Sequence, residues 1–139
     1  MLVKAYSAAV NGMEVTTITV EVSLTRGVCY RLTGLGDEAV RESHDRIAAA
    51  LLNTGYKFPV ADITANLAPA SLRKMGSGFD LPLAMAILSA NGTFAPDRLG
   101  EYMMVGELSL DGTLQPVKGV LPIAIRARKE RFKGLIVPE

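Results

Sequence analysis

The sequence is poor in the residues that build metal, redox and stacking sites. It has no tryptophan, one cysteine (Cys29) and one histidine (His44), and aromatic residues make up 6% of its 139 residues. A single cysteine excludes a disulfide within the chain and is typical of a reducing compartment, so we expect a cytoplasmic protein. No grouping of His, Cys and carboxylates has metal-ligand spacing, so we expect no metal site. The few aromatic residues do not indicate recognition of single strands by stacking.

The sequence also lacks an excess of charge and long apolar runs. Fifteen Lys and Arg face fourteen Asp and Glu, giving a net charge of +1, so the chain as a whole is not a strong polyanion binder, although a local basic face is allowed. No apolar run is long enough for a signal peptide or a membrane span, and we expect no membrane partner. The length suits one domain over residues 1–139 with a sizeable core.

Hydrophobic periodicity predicts the order β-β-β-α-β-α-β-β-α-β. Period-two runs on either side of Asn11-Gly12 predict a hairpin, and "GVCYRLTGL" predicts a third strand. Residues 37–53 carry a helical stripe, and the almost wholly apolar Leu81–Ala90 predicts a central helix. Two strands around Asp111-Gly112, an amphipathic helix in "GVLPIAIRARKERF" and a last strand in "GLIVPE" follow. Hairpins together with helical crossovers predict an α/β fold with a mixed sheet.

The stretch "RKMGSGFDLPL" is the main candidate for a site. Gly76 and Gly78 flank Ser77, but neither the P-loop nor the dinucleotide-binding pattern is complete, so we expect no nucleotide at this loop. Ser77 is a candidate nucleophile, because a helix start offers backbone N–H groups that bind an oxyanion. In the alternative interpretation the glycines only make a turn and Asp80 caps the helix. The residues alone leave both interpretations open.

A nucleophilic serine needs a base, and three side chains are candidates. They are His44, which the pattern places in the middle of a helix, and Lys74 and Lys118. A lone histidine on a helix face is usually a partly exposed side chain. We expect Cys29, in a predicted strand, to be a small core residue rather than a reactive thiol.

The strongest local positive charge lies in "RARKERFK" near the end of the chain. Its basic residues are Arg126, Arg128, Lys129, Arg131 and Lys133. This pattern is typical of a solvated helix face. The alternative is contact with a nucleic-acid backbone or with an acidic neighbouring subunit.

Three segments together resemble a known family. They are "VNGMEVTTITVEVSLTRG", "KMGSGFDLPLAMAILSANG" and "VGELSLDGTLQPVKGVLPIAIRARKERFKGLIVPE". They resemble the N-terminal domain of the ComM/YifB family of magnesium-chelatase-like proteins, over essentially the whole chain. The resemblance implies a domain related to the Lon protease proteolytic domain and to the C-terminal domain of RadA. It implies a two-layer α/β fold with a mixed sheet and a left-handed βαβ crossover, which is an exception to the usual handedness.

The resemblance also implies a function. In Lon-type proteases a serine and a lysine form the catalytic pair; Ser77 matches the serine, whereas the lysine position falls on Leu121. Because leucine cannot accept a proton, the match argues against peptidase activity. It implies a non-catalytic assembly or DNA-engaging domain of a hexameric bacterial AAA+ DNA motor, with DNA, other copies and the ATPase module of the same protein as partners. That module is absent from these residues, so ATP and magnesium are expected only there and no cofactor in this domain.

Two alternatives to the DNA-motor interpretation stay open. One is a serine hydrolase that uses Ser77 with Lys74 or Lys118 as the base. The other is a purely structural domain that packs on the ATPase module and exposes a large apolar surface when it is isolated.

Overall fold

A computed structural model describes residues 1–74 and 76–139 as a mixed α/β domain. Its strands are β1 (Leu2–Asn11), β2 (Glu14–Thr25), β3 (Tyr30–Thr33), β4 (Asp62–Ala68), β5 (Tyr102–Met104), β6 (Glu107–Leu108), β7 (Leu114–Gln115) and β8 (Gly134–Ile136). Its helices are α1 (Asp37–Asn53), α2 (Asp80–Ala90), α3 (Val120–Lys129) and a short 3₁₀ helix (Pro96–Glu101). No described helix has the length and apolarity that a membrane span requires.

Six of the described strands form one sheet in the order β3-β4-β2-β1-β5-β8. The long hairpin β1–β2 and the pair β2–β4 are antiparallel, whereas β1–β5, β5–β8 and β3–β4 are parallel. The predicted mixed sheet is thereby confirmed. The first hairpin pairs Asn11 with Glu14, so its two loop residues are Gly12 and Met13 rather than Asn11 and Gly12. Gly12 has a φ of +63°, which glycine adopts at little cost.

Apolar side chains of β1 and β2 point to both faces of the sheet, and helices pack on both faces. Helices α1 and α2 pack on one face, where they form the main core with β-branched and small residues of the hairpin. Helix α3 packs on the opposite face, where Ile123 and Ala127 contact a smaller cluster that contains Ala8, Met103 and Val105. The odd-numbered residues of β1 therefore face the main core and the even-numbered ones face α3, as period two requires.

The segment "YMMVGELSLDGTLQPV" forms three short strands instead of the two predicted. The chain leaves the sheet after β5 because Gly106 is tied to the start of α2. Its amide donates to the carbonyl of Gly78, and its carbonyl accepts from the amide of Leu81. A Cβ at Gly106 would lie 2.9 Å from the Leu114 side chain, so a larger residue at this position would have to displace that leucine. Strands β6 and β7 then form a separate hairpin beside the Ser77 loop.

Candidate functional site

The Ser77 loop borders a cavity of about 550 Å³. The other walls come from the end of β1, the segment 116–119 and the first turn of α3. Gly76 takes a φ of +86°, which a residue with a side chain adopts only with strain. The glycine therefore turns the chain and leaves Ser77 at the wall of this cavity.

Ser77 and Lys118 line the same cavity. Ser77 is partly buried and Lys118 is exposed. Among the described residues, Lys74 and Lys133 donate hydrogen bonds through their ammonium groups. No hydrogen bond in this described part of the chain joins the Ser77 hydroxyl to the Lys118 ammonium. The structure therefore brings this serine and this lysine to one site without forming the pair that a serine–lysine mechanism needs.

Lys74, the second candidate base, has a different role. Its ammonium donates to the carbonyls of Pro69, at 2.5 Å, and Leu72, at 2.8 Å. The side chain is buried, and desolvation lowers its pKa. It lines no part of the Ser77 cavity. Lys74 therefore closes the segment that leads into the glycine–serine loop. Its role as the base for Ser77 stays a prediction, and these contacts do not favour it.

His44 lies away from the Ser77 cavity as well. Its ring is 5.0 Å from the ring of Tyr30 and 4.7 Å from that of Phe58, centroid to centroid. This aromatic cluster lies where α1 meets β3, and His44 is no part of the wall around Ser77. Cys29 also departs from expectation, since it is exposed and not a core residue. It precedes β3, where its amide donates to Asp62 Oδ1 at 2.9 Å.

Leu121 points away from Ser77. Its side chain is 72% exposed on the outer face of α3, and it lines no part of the cavity. Leu121 therefore does not stand between Ser77 and a lysine. The lysine that shares the cavity with Ser77 stands three positions earlier, at Lys118.

Asp80 does not cap α2. The N-cap position belongs to Phe79, and Asp80 is the first helical residue. Its carboxylate is 1% exposed and accepts from the Ser43 hydroxyl at 2.8 Å, from Arg46 Nε at 2.6 Å and from the Leu108 amide at 3.1 Å. No amide is left for a cap by Asp80, because Pro82 has no N–H and the Leu83 amide donates to the carbonyl of Phe79.

The Asp80 carboxylate therefore joins α1, α2 and β6 at one buried point. The hydrogen bond to Asp80 raises the pKa of Arg46 above its ordinary value. Burial, together with the charge of Asp80, raises the pKa of Tyr30 to about 12. This ion pair holds the base of the Ser77 loop in place, and sequence reasoning missed it because its partners lie 34 and 28 residues away.

The basic residues at the end of α3 divide into two groups. Arg126 pairs with Glu130, and Lys133 Nζ lies 3.1 Å from Glu101 Oε1. Three are exposed and form no ion pair with any acid in the described part of the chain: Arg128, Lys129 and Arg131. Only this second group is available to an external phosphate without breaking an existing pair.

Across residues 1–74 and 76–139, no three His, Cys, Asp or Glu side chains come together as a candidate metal-ligand group. The residues around Ser77 supply one hydroxyl, one ammonium and apolar walls. Such a donor set does not suit a divalent cation, which prefers carboxylate, carbonyl or imidazole ligands.

Comparison with known proteins gives a consistent result. Residues 20–139 match the family model described as "Subunit ChlI of Mg-chelatase". The chain is 42% identical over 136 residues to an uncharacterized protein of Mycobacterium tuberculosis, covering 97% of this chain and 27% of that protein. It is 39% identical to the competence protein ComM of Haemophilus influenzae, over 96% of this chain and 26% of that protein. It is 38% identical to the protein YifB of Escherichia coli, over 96% of this chain and 27% of that protein. The chain thus spans about a quarter of the length of these curated relatives.

Proposed function

Because the chain belongs to the ComM/YifB family of magnesium-chelatase-related proteins, we propose that it is a non-catalytic N-terminal domain that assembles and engages DNA within a hexameric AAA+ motor. The family match confirms the resemblance that the sequence motifs carry. In this proposal ATP and magnesium bind an ATPase module of the same protein outside these residues, and the protein acts in the cytoplasm.

The observation that carries the DNA part is the unpaired basic group at the end of α3. Lys129 and Arg131 are exposed, and no acid of the described chain pairs with them. An exposed cation that binds a phosphate releases a counterion condensed on the DNA, and this release favours binding. Arg126 and Lys133 are weaker candidates, because each would first have to leave a carboxylate.

A salt titration of DNA binding tests this proposal. Each phosphate contact contributes about 0.9 to the slope of log K against log salt for duplex DNA. We expect the chain to bind duplex DNA weakly at low salt, and Lys129→Gln with Arg131→Gln to reduce that slope by about 2.

The matched control removes the same charge elsewhere, by Arg26→Gln with Lys57→Gln. Both residues are exposed and neither pairs with a described acid. An equal loss of affinity in the two variants, or no gel shift at low salt, would refute DNA engagement by the end of α3.

A second candidate function, a serine hydrolase, is favoured by one observation. Ser77 and Lys118 line one cavity, and a modest rotation of a flexible lysine side chain changes where its ammonium lies. If Lys118 activates Ser77, a fluorophosphonate probe labels the protein, Ser77→Ala abolishes the labelling and Lys118→Met reduces it. Lys57→Met serves as the control, because Lys57 is exposed and lines no part of the cavity, and it should leave labelling unchanged. Absence of labelling in the unmodified protein rules this candidate out.

A further inference from the structure

Helix α3 presents an apolar stripe to solvent. Leu121 is 72% exposed and Ile125 is 61% exposed, and both lie one turn apart on the side away from Ile123 and Ala127. Arg128 continues this stripe one turn later. The outer face of α3 thus changes from apolar to basic along the helix.

Helix α1, on the opposite face of the sheet, carries the complementary pattern. Its exposed first half contains Asp37, Glu38, Glu42 and Asp45, with Arg41 as the only base among its exposed residues. Its end carries Leu52, which is 66% exposed. Asn53 Nδ2 donates to the carbonyl of Leu110 at 2.7 Å, which places a second exposed leucine beside it. The outer face of α1 thus changes from acidic to apolar.

The spacings of the two patterns match when the helices run antiparallel. Leu121 and Arg128 are seven residues apart, as are Asp45 and Leu52, and seven residues span about 10 Å of helix. We propose that α1 of one copy of the chain packs antiparallel against α3 of a second copy, with Leu52 against Leu121 and Asp45 against Arg128. This contact deepens the assembly part of the proposed function and rests on it.

A symmetric contact is disfavoured by charge. Two α3 helices packed antiparallel with Leu121 facing Ile125 would place Arg128 opposite Lys118 of the other copy. Two α1 helices would bring their acidic halves against each other or against Leu52. Like charges in these positions repel, whereas α1 against α3 pairs opposite charges at one end and leucines at the other.

The contact is heterologous, because its two surfaces lie on opposite faces of the sheet. A heterologous contact repeats from copy to copy and closes into a ring or continues as a filament. Packing of one ten-residue helix buries less than the ~1,600 Å² of a standard interface, so the contact in this chain alone is weak and needs trapping. Arg128 belongs to this contact, which leaves Lys129 and Arg131 for DNA.

Cysteine cross-linking tests the geometry. Cys29 is exposed, so all variants carry Cys29→Ser. We expect a mixture of Leu52→Cys and Leu121→Cys chains to give a cross-linked dimer with a short bismaleimide, and each variant alone to give none. A chain with both cysteines should give a ladder of higher oligomers. Cross-linking of either single variant with itself, or none in the mixture, overturns the proposal.

Charge reversal tests the pairing independently. Asp45→Arg in the Leu52→Cys chain and Arg128→Asp in the Leu121→Cys chain should each lower the cross-linking yield of the mixture at least about tenfold. The two changes together should restore the yield, because they re-form the charge pair in the opposite sense. Failure of the two changes together to restore the yield contradicts the register. Asp45→Arg should leave the gel shift unchanged, so loss of DNA binding and loss of assembly are distinguished.

Discussion

Replacing Asp80 with alanine distinguishes a residue that joins three elements from one that caps a helix. The carboxylate is 1% exposed and accepts from Ser43, Arg46 and the Leu108 amide. Alanine removes every acceptor at this point and leaves the donors in place. The three donors belong to α1 and to β6, so the substitution removes hydrogen bonds of elements other than the helix that carries Asp80.

The magnitude follows from the burial of the donors that remain. The Ser43 hydroxyl and the Leu108 amide stay buried, and an unsatisfied buried donor costs about 1–3 kcal/mol. The Arg46 side chain is 21% exposed, so water partly solvates its guanidinium. Its loss of a partner therefore contributes less to the destabilisation than the loss at a fully buried cation would. The two buried donors together cost about 2–6 kcal/mol, and this range includes the about 3–5 kcal/mol found when one partner of a buried ion pair is removed. Loss of a helix cap alone costs about 1 kcal/mol.

Urea unfolding followed by far-ultraviolet circular dichroism measures how much Asp80→Ala lowers the free energy of unfolding. The comparison requires that the slope of free energy against urea concentration is the same in both proteins. The control is Asp97→Asn, an exposed aspartate of the 3₁₀ helix, for which we expect a change within about 0.5 kcal/mol. A loss for Asp80→Ala near 1 kcal/mol would refute the joining role, and a loss equal to that of the control would refute any structural role. Ser43→Ala combined with Asp80→Ala should cost less than the sum of the two.

Two further substitutions test single contacts. The Tyr30 hydroxyl is buried without a partner among the described residues, so Tyr30→Phe should stabilise the fold by up to about 1 kcal/mol at neutral pH. The Tyr30 pKa is raised from 10.0 to about 12, so Tyr30 ionises at lower pH in the unfolded chain than in the native protein. The free energy of unfolding should therefore fall by about 2–3 kcal/mol between pH 10 and pH 12 because of this residue. Urea unfolding at alkaline pH should show that Tyr30→Phe lacks this part of the fall. Lys74→Met leaves the Pro69 and Leu72 carbonyls without their donor and should cost about 1–2 kcal/mol, whereas exposed Lys118→Met should cost under about 0.5 kcal/mol by thermal unfolding.

Elements whose signal is local followed from the sequence. The stripe over residues 37–53 predicted α1 to its observed bounds, and the apolar run after Asp80 predicted α2 to within one residue. Both signals are periodicities of a single segment, and packing of those same faces forms the main core. The break at Gly106 was missed because its cause is a hydrogen-bonded approach to Gly78, 28 residues earlier in the chain.

The candidate site was predictable in its loop and not in its partners. "GSG" before an apolar helix indicates a turn that leaves Ser77 at a surface, and the positive φ of Gly76 agrees with that. Which lysine shares the cavity depends on how the segment 116–119 enters α3, whereas the resemblance to Lon-type proteases placed the lysine position on Leu121. Cys29 was misplaced for a similar reason, since the strand begins at Tyr30 and leaves the cysteine outside the sheet.

Asp80 shows why local chemistry misassigns a residue of this kind. An aspartate at a helix start has the same sequence signature whether its oxygens accept from helix amides or from partners far along the chain. Here no amide of α2 is left for a cap by Asp80, which leaves the carboxylate free to turn inward. A buried carboxylate then requires a cation and further donors, which α1 and the chain after Gly106 supply. The ion pair of Asp80 with Arg46 thus anchors the Ser77 loop to α1 on the main-core face. The cavity that the loop borders lies on the side of α3. Changes on α1 can therefore reach the Ser77 loop through Asp80 without touching the cavity itself.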